Sequence, residues 1–220
     1  MDILKLPPQE QEILIKELSQ HITPSRWNLM QRAIQYRTSY ITLILEDIYQ
    51  PHNAAAVIRS CDGFGIQNLH IIENRNKLRL DNTTVAKGAD KWLNFHYYNS
   101  LNGNNTQNCI HHLKSQGYRI GAMTLGKNSI SLEEIPLDKP LAIMIGSEKS
   151  GLSEEGCSLA DCCIEIPMFG FTQSFNLSVC AAIVLHDVTS KLRNSNTPWQ
   201  LCGEEQRETL LCWLQRCVTH

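Results

Sequence analysis

Short apolar runs alternate with longer amphipathic stretches through the middle of the chain. Five of these runs are too short for helices and predict buried strands, at residues 41–46, 69–73, 118–124, 141–145 and 163–166. A further strand is expected to begin near Trp92 and to contain Phe95 and Tyr97. Because helical patterns separate most of these runs, the strands are expected to pair in parallel.

Apolar residues at intervals of three or four positions predict the helices. These are expected from Pro8 to about Gln20, from Pro24 onward, after Asn53 as N-cap, from Cys109 to Gln116, from about Phe175 with Ser174 as N-cap, and from Glu204 to Cys217. The alternation predicts an α/β fold with a mostly parallel sheet and helices on both faces.

Length and composition indicate one main domain. The 220 residues are 42% hydrophobic, which is enough to bury one sizeable core. We expect that domain at 41–193, with helical extensions at 1–40 and 194–220. The segment from Met1 to Pro8 lacks the apolar region of a secretory signal, and no apolar run approaches the ~18 residues of a membrane span. These features predict a cytoplasmic protein without a membrane partner.

The cysteines predict a reduced protein without a metal site. There are nine of them, an odd and scattered number. Cys157, Cys162 and Cys163 are close in sequence, yet the chain has no Cys-x-x-Cys pair and no histidine at ligand spacing from them. We therefore expect small buried residues here and not a zinc site.

The formal net charge of −2 gives no global attraction to nucleic acid, so RNA binding would rest on local patches. Residues 21–45 hold three arginines and neither aspartate nor glutamate, a pattern that fits a solvated helix face as well as an RNA-facing one. Residues 74–91 form a second basic segment, with five basic and two acidic residues. Candidate RNA contacts in the two segments are Arg26, Arg32, Arg37, Arg75, Lys77, Arg79, Lys87 and Lys91.

Polar, glycine-bearing loops follow the strands at 141–145 and 163–166. Loops at the carboxyl ends of parallel strands are where open α/β sheets bind ligands, so both loops are candidates for one site. These two loops and the segment after the first strand contain three motifs. The segment after the first strand reads Asn53-x-x-Ala56-x-x-Arg59-Ser60, and the loop after 141–145 reads Gly146-x-Glu148-x-x-Gly151. The third motif is Ile166-Pro167-Met168 followed by Gln173-Ser174-Phe175-Asn176.

In order and spacing, the three motifs resemble those of the SpoU-type RNA ribose 2′-O-methyltransferases, whose superfamily has a trefoil-knotted cofactor site. The resemblance spans roughly Ile41 to Arg193. The helices outside this span and the Lys91-Trp92 pair are similar to the branch that methylates guanosine 18 of tRNA. The resemblance implies a carboxyl-terminal trefoil knot, tRNA as substrate, S-adenosylmethionine as cofactor and a homodimer with the active site near its interface.

The resemblance also implies roles for individual residues. Arg59 would be the catalytic arginine, with a pocket shaped by Asn53, Glu148, Ser174 and Asn176. The cofactor would be held by backbone groups at Met123, Thr124, Leu125, Gly146, Ile166, Met168 and Phe175. Phe175 stands where the family usually has leucine, which predicts an altered adenine pocket. Taken singly, most of these residues would more often be solvated side chains or helix caps.

The residues fit more than one role for Arg59, for two phenylalanines and for the chain as a whole. In the family the arginine is proposed as a general base, whereas a guanidinium that stays protonated favours an electrostatic clamp on a phosphate and on the developing alkoxide. Phe169 and Phe171 fit either base stacking or core packing. A ribosomal RNA 2′-O-methyltransferase, a non-catalytic RNA-binding relative and an unrelated α/β enzyme are the alternative functions. The ~40 residues before the first strand are fewer than the RNA-binding domain that ribosomal RNA enzymes usually carry.

Overall fold

The computed structural model describes residues 3–78, 88–124 and 129–218. Within them the chain forms two compact units. One unit comprises the segment up to Thr38 together with the segment from Trp199 onward, and the other comprises Ser39–Pro198. The helices of the expected extensions belong to the first unit, and the expected domain at 41–193 falls within the second.

A parallel sheet forms the centre of the unit Ser39–Pro198. Its strands in the described residues are β1 (Ile41–Glu46), β2 (Asn68–Ile72), β3 (Asn94–Tyr98), β4 (Arg119–Met123), β5 (Ser129–Ser131), β6 (Leu141–Ile145) and β7 (Cys162–Glu165). They lie in the order β3-β2-β1-β6-β4-β7-β5, and each neighbouring pair is parallel. The α/β class and the parallel sheet are thus confirmed.

Helices cover both faces of this sheet. They are α3 (Pro51–Gly63), α4 (Asn105–Ser115), α5 (Glu154–Leu159) and α6 (Leu177–Arg193). Because parallel crossovers are right-handed, α3 lies on one face as the chain moves from β1 to β2, and α4 lies on the other as it returns from β3 to β4. Accordingly α6 packs on α3 and α5 packs on α4.

The core beneath α4 shows why these strands form. Ile44, Ile72 and Met144 from three strands pack against Cys109 and Ile110 of α4, and all five are buried. Every residue of β1 and β6 is buried, as expected for central parallel strands with helices on both faces. On the opposite face, the predicted stripe of α6 from Leu177 to Leu192 is also buried.

Both predicted N-caps are wrong. α3 begins at Pro51, two residues before Asn53, because proline suits the first turn of a helix and Gln50 takes the cap position. α6 begins at Leu177, where the Asn176 carboxamide accepts a hydrogen bond from the Ser178 amide at 2.9 Å. Ser174 therefore lies in the preceding loop.

Two further elements differ from the prediction. α4 begins at Asn105, because the Asn104 side chain caps it by accepting from the Gln107 amide at 3.0 Å. The strand β5, which pairs with β7 through residues Ser129 to Ser131, was not predicted. A strand of three residues, two of them serine, has too little apolar pattern to be recognised in sequence.

The other unit contains α1 (Pro8–Ser19), α2 (Pro24–Ile34) and α7 (Gly203–Val218). Both amino-terminal helices pack on α7, which buries Trp213 and Leu214. Arg37 was predicted to be accessible, and this is wrong: it is 5% exposed, with its guanidinium carbon 5.1 Å from the centre of the Trp213 ring. Stacking on an aromatic face and burial of its aliphatic stem explain the difference. No helix in the described part of the chain is both long and apolar enough to span a bilayer.

Candidate active site

The carboxyl ends of β1 and β6 mark the point where the strand order reverses. From β1 the chain continues through α3 towards β2 on one side, and from β6 it continues through α5 towards β7 on the other. Loops at such a point diverge and leave a crevice, which is where open α/β sheets bind ligands. Two of the three motifs, those of Asn53 and Glu148, line this crevice.

The loop after β6 is closed on itself. Ser147 and Gly151 exchange two backbone hydrogen bonds, of 3.0 and 2.8 Å, and Gly151 has a φ of +67°. A Cβ atom at Gly146 would overlap the backbone of Gly151 and Leu152. Glycine is therefore required at position 146 to let the two arms of the loop approach each other.

Glu148 joins this loop to the segment after β1. Its Oε1 atom accepts a hydrogen bond of 2.7 Å from Asn53 Nδ2, and its Oε2 atom accepts one of 3.1 Å from the Tyr49 amide. Asn53 Oδ1 in turn accepts from Asn176 Nδ2 at 3.3 Å. Side chains from the three motifs therefore form one hydrogen-bonded network, which fixes Asn53 in a buried position.

Two adjacent cavities lie beside this network. The larger, of about 520 Å³, is lined by Asn53, Gly146, Glu148 and Asn176 among others. The smaller, of about 180 Å³, is lined by five of the predicted cofactor residues, Met123, Thr124, Ile166, Met168 and Phe175. Ser174, Phe175, Met123 and Cys180 line both cavities, so the two are parts of one cleft. Leu125 lies outside the described residues.

Cys180 is a site residue that the sequence did not single out. It projects from α6 into both cavities. Burial raises the pKa of its thiol to about 11, so the side chain is neutral at physiological pH. A neutral thiol behaves as a small apolar group, and Cys180 therefore adds to the apolar wall of the cleft. A cysteine carries no sequence signal that would have separated it from the other eight.

Arg59 is not brought to the network. It is exposed on α3, six positions after Asn53, which on an α-helix corresponds to about 120° around the axis and about 9 Å along it. Within the described residues, no side-chain hydrogen bond or ion pair of Arg59 is formed. Ser174, by contrast, lines both cavities.

The predicted RNA contacts are distributed over both units. Arg75, Lys77 and Lys91 are exposed in the unit Ser39–Pro198, and Arg26 and Arg32 are exposed in the other unit. Arg37 is buried, as described above, which removes it as an accessible contact. Arg79 and Lys87 lie outside the described residues.

The loop that carries Arg75 and Lys77 is ordered by Asp47, a residue whose role was not predicted from the sequence. Asp47 directly follows β1 with a φ of +52°, and its Oδ1 atom accepts from the amides of Asn74, Arg75 and Asn76 at 2.8, 2.8 and 3.3 Å. Aspartate tolerates the left-handed region better than most residues. The basic loop is therefore anchored beside the crevice.

The carboxylate of Glu46, like that of Asp47, joins elements that surround the crevice. Glu46, at the end of β1, is 2% exposed and accepts hydrogen bonds from Thr106 Oγ1, Ser153 Oγ and the Ser153 amide at 2.7 to 2.8 Å. These bonds tie β1 to α4 and to the N-cap of α5. No group of three or more possible metal ligands occurs among the residues with described positions.

Phe169 and Phe171, in the loop before α6, are almost fully exposed. Their packing into the core of this chain is therefore excluded. Phe175 and Val179, on the same segment, are 40% and 45% exposed. Phe175 also lines both cavities, so the segment that carries these exposed apolar side chains borders the cleft.

The chain is similar to known proteins over most of its length. Residues 40–186 match the SpoU rRNA Methylase family. A tRNA (guanosine(18)-2′-O)-methyltransferase of Borreliella burgdorferi is 38% identical over 201 residues, covering 91% of this chain and 89% of that protein. An Escherichia coli K12 protein of the same name is 30% identical over 174 residues, covering 79% and 73%.

The same similarity holds at the level of structure. The crystal structure of the Aquifex aeolicus TrmH/SpoU tRNA modifying enzyme superposes with a TM-score of 0.76 at 25% identity, covering 94% of this chain and 98% of that one. The family match covers the sheet, the crevice and all three motifs. The chain belongs to the SpoU rRNA Methylase family.

Proposed function

We propose that the chain transfers a methyl group from S-adenosylmethionine to the 2′-hydroxyl of a ribose in tRNA, at guanosine 18 of the D-loop. One observation carries the proposal: Asn53, Glu148 and Asn176, from three separate motifs, meet in one network beside a cleft of two connected cavities. The family membership and the names of the two similar curated proteins support the substrate.

The cleft suits the proposed cofactor. Its smaller part has apolar walls from Met123, Ile166 and Phe175, which fit an adenine ring, and its larger part adds polar groups from Asn53 and Glu148. Met123, Thr124, Gly146, Ile166, Met168 and Phe175 would hold S-adenosylmethionine, with Leu125 as a further candidate. When bound, the cofactor supplies an electrophilic methyl group on a cationic sulfur.

The residues around the cleft would orient and activate the ribose. A 2′-hydroxyl is a weak nucleophile, so its alignment and its developing negative charge are the main demands on the protein. Glu148 is fixed by hydrogen bonds at both carboxylate oxygens and so would hold Asn53 in place. Ser174 and Asn176 would shape the pocket for the ribose.

Arg59 would act as a clamp. Its guanidinium stays protonated at physiological pH, so it would bind a phosphate and stabilise the alkoxide instead of removing the proton. Because Arg59 lies apart from the network on its own chain, we propose a homodimer in which each copy supplies Arg59 to the other copy's site. Such a dimer would cover apolar side chains that are exposed on the chain alone, namely Phe169, Phe171, Phe175 and Val179.

The domain that carries the activity would be residues 41–193, with a trefoil knot in its carboxyl-terminal part and helical extensions at 1–40 and 194–220. The exposed cations Arg26, Arg32, Arg75, Lys77 and Lys91 would contact tRNA, and the protein would work in the cytoplasm.

The test is a transfer assay with two RNA substrates. The purified chain is incubated with methyl-labelled S-adenosylmethionine and either unmodified bulk tRNA or ribosomal RNA. Label in tRNA that is lost in Arg59→Ala supports the proposal. Label in ribosomal RNA alone would replace the proposed substrate with the alternative one, and binding of the cofactor with no transfer to either RNA would indicate a non-catalytic relative.

A further inference from the structure

Tyr49 is an exposed aromatic residue at the mouth of the crevice. It lies in the loop between β1 and α3, and its side chain is 50% exposed. Its amide donates to Glu148 Oε2 at 3.1 Å, so the residue is anchored to the site network through its backbone. The ring itself takes no part in that hydrogen bond.

Lys149 determines the environment of the ring. Its Nζ atom lies 3.5 Å from the ring centre, a close cation–π contact. The two residues come from the loops after β1 and β6, the same loops that Glu148 joins. Among the described aromatic side chains, no other ring packs on Tyr49. One face of the ring is thus covered by a cation, while half of the residue's surface remains exposed.

This arrangement has little value for the stability of the chain alone. Half of the residue's surface remains exposed to water, and the two loops are already joined by the hydrogen bonds of Glu148. It has the features of an RNA-binding element, because an accessible aromatic face stacks with any base and a neighbouring ammonium attracts phosphate. Arg75 and Lys77, on the loop that Asp47 anchors after β2, add positive charge on the same edge of the sheet.

We propose that Tyr49 is a base-stacking residue for the RNA substrate. An unstacked base at or next to the methylated nucleotide lies on the open face of the ring, while Lys149 holds the opposite face and contributes its charge to the nucleotide's phosphate. This inference rests on the proposed function, because it assumes an RNA substrate in the crevice. It adds a residue outside the three motifs to substrate binding.

The experiment uses the full chain and four variants. Tyr49→Ala removes the ring, Tyr49→Phe keeps it, Lys149→Gln removes the cation, and Tyr97→Ala is the matched control. Tyr97 is 47% exposed on β3, two strands away from β1. For each protein one measures the Kd for unmodified tRNA, the KM and kcat of methyl transfer, and the Kd for S-adenosylmethionine by calorimetry.

Tyr49→Ala is expected to raise the Kd and KM for tRNA about tenfold, within the range for loss of one base–aromatic stack. Its kcat and its affinity for S-adenosylmethionine stay close to wild type. Tyr49→Phe and Tyr97→Ala behave like the wild type, and Lys149→Gln shows a smaller increase in Kd.

Three results would overturn the inference: tRNA binding by Tyr49→Ala equal to that of the wild type, a loss in Tyr49→Phe as large as in Tyr49→Ala, or a loss of cofactor affinity in Tyr49→Ala. The proposed function fails separately, if the wild type transfers no methyl group to tRNA. In that case the Kd values of the same proteins for ribosomal RNA still decide whether Tyr49 stacks on a base.

Discussion

Gly146 is the residue whose small size most directly shapes the cleft. Its backbone passes against that of Gly151 and Leu152, with no room for a Cβ atom. The close approach brings Glu148 to the position where it accepts from both Asn53 and Tyr49. The geometry of the whole network therefore depends on the absence of a Cβ atom at position 146.

Gly146→Ala is expected to displace the loop and to lower the free energy of unfolding by about 1–3 kcal/mol, the range for an overpacked site. Because Gly146 lines the cleft, the affinity for S-adenosylmethionine should fall by at least about tenfold, equal to roughly 1.4 kcal/mol. Thermal unfolding and calorimetry measure the two effects. Gly63→Ala is the control, since no atom lies within 4 Å of its added Cβ. Equal behaviour of the two variants would contradict this view of the loop.

His70 illustrates a different dependence on a single residue. It is buried at the outer part of the sheet, with its ring stacked on His96 at 4.6 Å between centres and its Nδ1 atom 3.3 Å from Tyr98 Oη. Burial, together with smaller contributions from the nearby His96 and His112, lowers the pKa of His70 to about 3. The folded chain therefore requires this imidazole to be neutral.

Stability should fall in mild acid because of His70. Its folded pKa lies below the ordinary value of 6.5, so the unfolded chain binds more protons between pH 6.5 and about 3, and stability decreases as the pH falls through that window. From pH 7 to pH 5 we expect a loss of roughly 2 kcal/mol in urea unfolding, at about 1.4 kcal/mol per pH unit. His70→Gln should remove this loss, whereas His111→Gln, at an exposed position, should keep it. An unchanged pH dependence in His70→Gln would rule out this assignment.

At the scale of elements, the loop after β2 shows how one carboxylate orders a basic segment. Asp47 accepts from three consecutive amides at 74–76, and Asn76 Nδ2 returns a hydrogen bond of 2.8 Å to the Asp47 carbonyl. Consecutive amides that converge on one oxygen hold the loop in a single conformation. Arg75 and Lys77 are thereby presented from a fixed backbone.

Asp47→Ala is expected to reduce stability by about 2–3 kcal/mol, because three amides lose their acceptor and alanine is strained at positive φ. The KM for tRNA should rise, while the affinity for S-adenosylmethionine remains unchanged. Asp47→Asn keeps an oxygen acceptor and tolerates the same φ, so it should recover most of both properties. If Asp47→Asn is as impaired as Asp47→Ala, stability and the KM for tRNA depend on the negative charge of Asp47 and not on the loop geometry.

The elements were predictable where their signal is local. β1 and β6 are continuous apolar runs and α6 has a complete stripe, so burial is already visible in the sequence. The starts of α3 and α6 were mispredicted, because several residues near each start were possible caps. Asn53 is held by Glu148, 95 residues away, and such a partner leaves no local pattern.

The candidate site was likewise only partly predictable from the sequence. Its motif residues were found because their joint spacing resembles a family, and three of them do meet in space. Asp47, Tyr49 and Cys180 were missed, because their roles depend on positive φ, on a cation from another loop and on burial. None of these is encoded in spacing.

At the scale of the whole molecule, the proposed dimer makes a prediction about mixed active sites. If each copy supplies Arg59 to its partner, a mixture of Arg59→Ala and Ser174→Ala chains should regain activity that neither variant has alone. Random exchange would restore about a quarter of the wild-type rate, because half of the dimers are mixed and each holds one intact site. Transfer rates after refolding the variants together measure this. No recovery, with mixed dimers verified by a tag, would place Arg59 on its own chain's site.

The central claim concerns which atom of which RNA is methylated. The most direct measurement is to let the chain label unmodified tRNA with methyl-labelled S-adenosylmethionine, digest the product and identify the labelled nucleoside and its position. We predict 2′-O-methylguanosine at position 18 of the D-loop, and no label in a transcript in which that guanosine is replaced. A label on a base, or on a ribose elsewhere in the tRNA, would contradict the account.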